Sequence, residues 1–180
     1  MKPIFAIALF SLLLAGCSSI RVTTDHAEGT DFSAFRTFQY RESEGTLAAS
    51  SPLAHQRIVN AIRGAMVASG LAEATDHPDV FVTYYGSIDR ETHYQTTYTG
   101  ATDRTGSRWN HPGTAGGTVT ATTRTLTVKR GTLVIDMWDA STNTLVWRSV
   151  ATSALDSDPR SSARTIKEAV ERAFRQFPPQ

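Results

Sequence analysis

The chain has 180 residues, 40% of them hydrophobic, with 18 Lys and Arg against 17 Asp and Glu. That length suffices for one domain with a sizeable core. So even a charge balance gives no electrostatic footprint for nucleic acid or an anionic lipid face, and a single cysteine excludes an internal disulfide.

Residues 1–19, MKPIFAIALFSLLLAGCSS, have the layout of a bacterial export signal. Lys2 supplies the positive end, residues 4–14 form an apolar run broken only by Ser11, and small residues lead into Cys17. The run is about half of the roughly 20 apolar residues that a spanning helix needs. Leu14-Ala15-Gly16-Cys17 matches the box used by lipoprotein signal peptidase, in which the thiol takes diacylglycerol, cleavage falls before it and the new α-amine is acylated. The expectation is a cleaved leader over 1–16, a lipidated, palmitate-bearing Cys17 with a short tether over 17–19, and one domain over 20–180. Three acyl chains, at about 0.8 kcal/mol per buried CH₂, hold such a protein on a bilayer. Ser18 stands where Asp would signal retention in the inner membrane. By resemblance to Gram-negative lipoproteins this implies the inner leaflet of the outer membrane, facing the periplasm. Loss of Lys2 with the leader makes the remaining charge even.

Residues 20–25 alternate, with Ile20, Val22 and Thr24 against polar neighbours, as a short strand does. Residues 26–30 break it, and Asp31 to Phe35 reads as a turn with two aromatic plugs. Strand character resumes over 36–41, with Phe38 and Tyr40 on one face, and a polar loop follows over 42–51. Ser51-Pro52 predicts a helix start with a hydroxyl cap and Pro at the first position. Leu53, Ala54, Ile58, Ile62 and Met66 then recur at helical spacing, and Gly70 supplies the stop. Residues 79–85 are β-prone and apolar on both faces near their start, which places them inside a sheet.

Residues 86–117 lack periodicity and are rich in Gly, Thr and Ser, with His93, Tyr94, Tyr98, Trp109 and His111 among them. So long a stretch reads as a loop, either functional or an extended hairpin tip. Tyr94, Tyr98 and Trp109 are its candidate ligand or partner surface. Residues 118–129 alternate as a strand, Arg130-Gly131 reads as a turn, and 132–139 as the next strand. Asp139 to Asn143 has turn chemistry, and 144–152 returns as a strand with Leu145, Trp147, Ser149 and Ala151 on one face. Ser161 or Ser162 is expected to cap a last helix, in which Ile166, Val170, Ala173, Phe174 and Phe177 face inward. Glu168–Arg172 and Glu171–Arg175 are set for i, i+4 pairs on its solvated side. The fold class is α+β: a single two-layer domain, a mostly antiparallel sheet with two helices packed on one face.

Catalytic patterns are missing. His26, His55, His77, His93 and His111 are scattered, without H-E-x-x-H or a ligand pair at i, i+4, so no metal site is expected. There is no G-x-S-x-G elbow, and GTAGG over 113–117 lacks the ending of a phosphate loop. Asp136 and Asp139 flank Trp138 on opposite strand faces, so Asp139 is expected to close the turn and Asp136 to be solvated. No cofactor is expected.

Three stretches resemble the bacterial envelope lipoproteins grouped as domain of unknown function 4136: TDFSAFRTFQY over 30–40, GTLVIDMWDASTNTLVWRSVAT over 131–152 and TIKEAVERAFRQFPP over 165–179. The similarity runs over about residues 20–178. It implies a single-domain, membrane-tethered α+β protein, and it carries over no catalytic residues.

The resulting expectation is a non-enzymatic lipoprotein of the bacterial envelope, held to the bilayer through acylated Cys17. It acts by binding an envelope protein, glycan or lipid, with no nucleic-acid partner. The alternative is a carrier or sensor of a small apolar or glycan ligand, held between sheet and helices or by the aromatic stretch. A third reading is a hydrolase built from His93 or His111 with Asp89 or Asp103.

Overall fold

A computed structural model describes residues 20–100, 119–156 and 158–179. Within them one sheet is built from β1 (Arg21–His26), β2 (Thr37–Tyr40), β3 (Ala72–Glu73), β4 (Val80–Gly100), β5 (Val119–Asp139) and β6 (Leu145–Leu155). Helix α1 (Pro52–Ala68) follows β2, and α2 (Pro159–Phe174) comes last. Across the sheet the order is β1-β6-β5-β4-β2-β3. The neighbours from β1 to β4 are antiparallel, whereas β2 runs parallel to both β4 and β3. This is the α+β, mostly antiparallel arrangement that the residue pattern predicts.

Strand alternation decides which face is covered. Val80, Val82 and Tyr84 of β4, Leu133, Ile135 and Met137 of β5, and Trp147, Ser149 and Ala151 of β6 share one face and are buried. Ile58, Ile62 and Met66 of α1 and Val170, Ala173 and Phe174 of α2 close over them. Trp147 anchors this layer, its ring centroid 5.2 Å from that of Phe174 and 5.5 Å from that of Phe177. Phe32 and Phe35, the predicted plugs, pack against the same core from a 3₁₀ turn whose start Asp31 caps through the Ser33 N–H.

The opposite face carries mixed cross-strand rows. Tyr85, Val134 and Val150 form one, and Thr83, Asp136 and Arg148 the next. Asp136 is not free in solvent as expected: Arg148, directly across the ladder, donates to its two oxygens at 2.6 and 2.7 Å.

Helix ends differ from the expectation in detail. Ser51 occupies the N-cap position of α1 but its side chain makes no capping bond, so the start relies on Pro52 with its preset φ. Leu53 stays 65% exposed. Gly70, at φ +93, ends the helix as expected. In α2 the cap is Asp158, whose carboxylate accepts from the Arg160 N–H, with Pro159 at the first position. Asp158-Pro159 combines an acceptor, a negative charge at the positive helix end and a preset φ, and it starts the helix ahead of Ser161. Arg172 pairs with Glu168 at 2.7 Å and also donates to the Ile20 carbonyl, while Glu171 takes Lys167 at 3.6 Å as partner in place of Arg175.

The larger corrections concern β4 and β5. Residues 86–100, expected as a loop, either functional or an extended hairpin tip, take the extended-hairpin form: they continue β4 and pair residue for residue with 119–133. Arg130-Gly131 is no turn: Arg130 faces Asp89 on one side and Ala154 on the other, Gly131 faces Ile88 and Ser153, and β5 runs straight through. The glycine serves a close approach, since a Cβ there would stand 3.0 Å from a Leu155 methyl carbon. β3, a two-residue strand between α1 and β4, is too short to leave a periodic signal.

Candidate functional site

Two glycines flatten the helix-facing side of the sheet where β4 and β5 leave the body. At Gly86 a Cβ would meet Leu47 at 3.0 Å, and at Gly131 it would meet Leu155. Leu47 and Leu155 therefore lie low over the strands, and a groove of about 660 Å³ opens above them. Its walls are the first turns of α1, with Leu53, Ala54 and Ile58, and the first half of α2, with Ser162 and Ile166. Leu133, Ala151 and Ser153 form its floor. A volume of this size is typical of ligand sites, and here aliphatic side chains share the lining with Ser and Thr residues, three cations and Asp156.

Beyond the groove, β4 and β5 continue as a two-stranded ribbon. Successive helix-side positions carry the cross-strand pairs Ile88–Gly131, Arg90–Lys129, Thr92–Thr127, Tyr94–Thr125, Thr96–Thr123 and Tyr98–Ala121. Arg90 and Lys129 line the groove mouth. Tyr94 and Tyr98 are 74% and 70% exposed on the same face, about 13 Å apart along the strand at its usual rise. They thus extend the groove outward. The third member of the predicted surface, Trp109, lies outside the described residues, as do Cys17, Asp103 and His111.

The other ribbon face holds the hydrolase candidates. His93 Nε2 lies 3.5 Å from Glu91, whose carboxylate takes two bonds from Arg130 at 2.7 and 3.1 Å. Those Arg130 donors hold the Glu91 carboxyl below its ordinary range. Asp89 accepts from the Ser87 hydroxyl at 3.2 Å. His93, Glu91, Arg130 and Asp89 stand on an open strand surface and do not line the groove. Among the described residues no three His, Cys, Asp or Glu side chains gather to hold a metal.

A polar cluster that the sequence did not reveal lies under the 42–51 loop. The Tyr84 hydroxyl, from a ring almost wholly buried, sits 2.8 Å from His55 Nδ1 and accepts from the Leu47 N–H at 3.0 Å. Glu42 accepts from the Tyr40 hydroxyl at 3.1 Å and the Thr46 hydroxyl at 2.6 Å, and its carboxylate lies 3.7 Å from His55 Nε2. Burial, first, and Glu42 push both tyrosine hydroxyls above their ordinary pKa, so they remain neutral donors and acceptors. The cluster straps the loop to the sheet and so sets where Leu47 stands at the groove. No sequence motif announces it, because His55 and Tyr84 are 29 positions apart.

A six-stranded sheet covered on one face by two helices, with an open groove between the layers, defines a two-layer α+β domain. The chain belongs to the family described as Domain of unknown function (DUF4136), whose model matches residues 22–179. No curated protein matches it. Among solved structures, a PDZ domain protein from Parabacteroides distasonis ATCC 8503 is similar at TM-score 0.56 and 14% identity, over 91% of this chain and 36% of that one. This chain thus spans about a third of that protein's length, and the likeness concerns the fold. The PelC dodecamer from Paraburkholderia phytofirmans, in two crystal forms, aligns at 10% identity with TM-scores of 0.43 and 0.48, over 86% of this chain and 94% of that one.

Proposed function

We propose that the protein is a lipoprotein of the bacterial envelope, tethered through acylated Cys17 and facing the periplasm from the outer membrane, and that it acts there by binding and not by catalysis. The tether is supported by Leu14-Ala15-Gly16-Cys17 at the end of an apolar leader, three residues before the first described residue. The binding role rests on one observation, the open groove between sheet and helices, whose lining is aliphatic with Ser, Thr and cationic side chains. That lining can enclose and orient a ligand. The groove also favours the carrier or sensor form of the reading over a purely structural one, because a scaffold has no need to leave an apolar cleft uncovered.

Fractionation tests the tether. The wild-type chain is expected to stay with membranes after alkaline washing and Cys17→Ala to be released; a Cys17→Ala chain that stays would contradict the anchor. For the binding role, native mass spectrometry of protein taken gently from its own cells is expected to show a retained small molecule that Ala54→Trp, filling the groove, removes. Identical bare masses for the two would count against it.

A further inference from the structure

We propose that the groove takes a single-chain anionic lipid, one acyl tail bearing a phosphate headgroup, with Arg90 and Lys129 holding the phosphate. The proposal rests on the groove being the binding surface and adds the chemistry of its occupant.

Arg90 and Lys129 are direct cross-strand partners on the helix-side face. Opposed positions bring Cβ atoms to about 5 Å, where like charges destabilise a ladder. On the other face of the same ribbon the adjacent cation is neutralised, Arg130 by Glu91. Among the described residues no carboxylate stands within ion-pair distance of Arg90, Lys129 or Arg57. Arg57 brings a third cation to the lining from α1, against one acid there, Asp156. Folding therefore gathers unanswered positive charge at one place, although the whole chain is nearly neutral.

Beside the cations lies apolar surface that folding also leaves uncovered. Leu53 and Ile88, both in the lining, are 65% and 50% exposed. A purely apolar ligand would answer the leucine and isoleucine but not the cations, and inorganic phosphate the reverse. An amphiphile answers both. Phosphate suits this mouth better than carboxylate, because two guanidinium forks and an ammonium from separate elements offer more donors than two oxygens can use. The even charge balance argues against a broad anionic surface as partner; a local cationic cluster over a cleft fits one headgroup.

The test uses the mature chain, residues 17–180 with Cys17→Ser, stripped of lipid so that its own acyl chains cannot compete. It is titrated by calorimetry with 1-palmitoyl lysophosphatidylglycerol below the micelle concentration, with native mass spectrometry for stoichiometry. The expected result is one lipid per chain. Arg90→Gln with Lys129→Gln, both exposed, is expected to weaken binding at least about tenfold while leaving the circular dichroism unchanged. The zwitterionic lysophosphatidylcholine is expected to bind at least about tenfold more weakly, and Ala54→Trp to abolish binding. Absence of a one-to-one complex would overturn the proposal. So would equal affinity for the zwitterionic lipid, indifference to the double substitution, palmitate binding as tightly, or inorganic phosphate binding as tightly. None of these results bears on the membrane release of Cys17→Ala, so this inference and the tether fail separately.

Discussion

Asp79 joins the start of β4 to the start of β2 through one carboxylate oxygen, which accepts from the Arg36 N–H at 2.8 Å, the Thr37 N–H at 2.8 Å and the Thr37 hydroxyl at 2.9 Å. The Arg36 N–H, first among these donors, holds the carboxyl below its ordinary value of 3.8. A group whose folded pKa is depressed stabilises the fold above its unfolded pKa, and that contribution disappears as pH falls through the folded one. Asp79→Ala is therefore expected to lose about 1.5–3 kcal/mol near neutrality, the range for hydrogen bonds to a charged acceptor. The gap from wild type should narrow as pH drops below 3.8. Urea midpoints across that interval check it, and a constant gap would contradict the assignment. At the core, Trp147 is 1% exposed among Phe174 and Phe177. Trp147→Ala is expected to cost about 3–5 kcal/mol through the cavity left behind, read as a lower urea midpoint with the same slope.

The β4–β5 ribbon is where residue pattern and structure part company, and the cause is physical. Helices α1 and α2 and the strand 145–155 each press one face on a core, so their apolar residues recur at the helical or strand period and are readable. Among the described residues nothing packs on either face of 88–100, where Arg, Thr and Tyr line one side and Glu, His, Gln and Thr the other, so no apolar alternation betrays the strand there, whereas the strand read over 118–129 is the outer half of β5. Glycine misleads in the opposite direction at Gly131, where it makes room for Leu155 and does not turn the chain. The groove was readable only in part. Its tyrosine-bearing extension stands out by composition, but Leu47, Ile58, Leu133 and Ile166 reach one cleft from four separate segments. The Arg90–Lys129 pair exists only once the register is known. A two-stranded ribbon without a packed face is marginal in water. Amide exchange is therefore expected to be fast beyond Glu91 on β4 and slow over Val80–Tyr85, and uniform protection along β4 would contradict this. Tyr94→Ala with Tyr98→Ala, both highly exposed, should shift stability by no more than about 0.5 kcal/mol, so any loss of binding in that variant reports on contact and not on folding.

Over the molecule as a whole, one covered face and one open face follow from two helices meeting a six-stranded sheet. No helix among the described residues is long and apolar enough to cross a membrane; the attachment proposed above is the lipid at Cys17. The first described residue, Ile20, has its carbonyl held by Arg172 of α2 at 3.1 Å. Even fully extended, the three steps from Cys17 to Ile20 span about 11 Å, so an acylated cysteine would keep the β1 edge of the domain close to the bilayer. Intact-mass spectrometry of the protein extracted from membranes of its own bacterium tests that claim most directly. The expected mass is that of a chain beginning at Cys17 and carrying diacylglycerol with an amide-linked acyl group; a chain retaining residues 1–16, or one with an unmodified thiol, would contradict it.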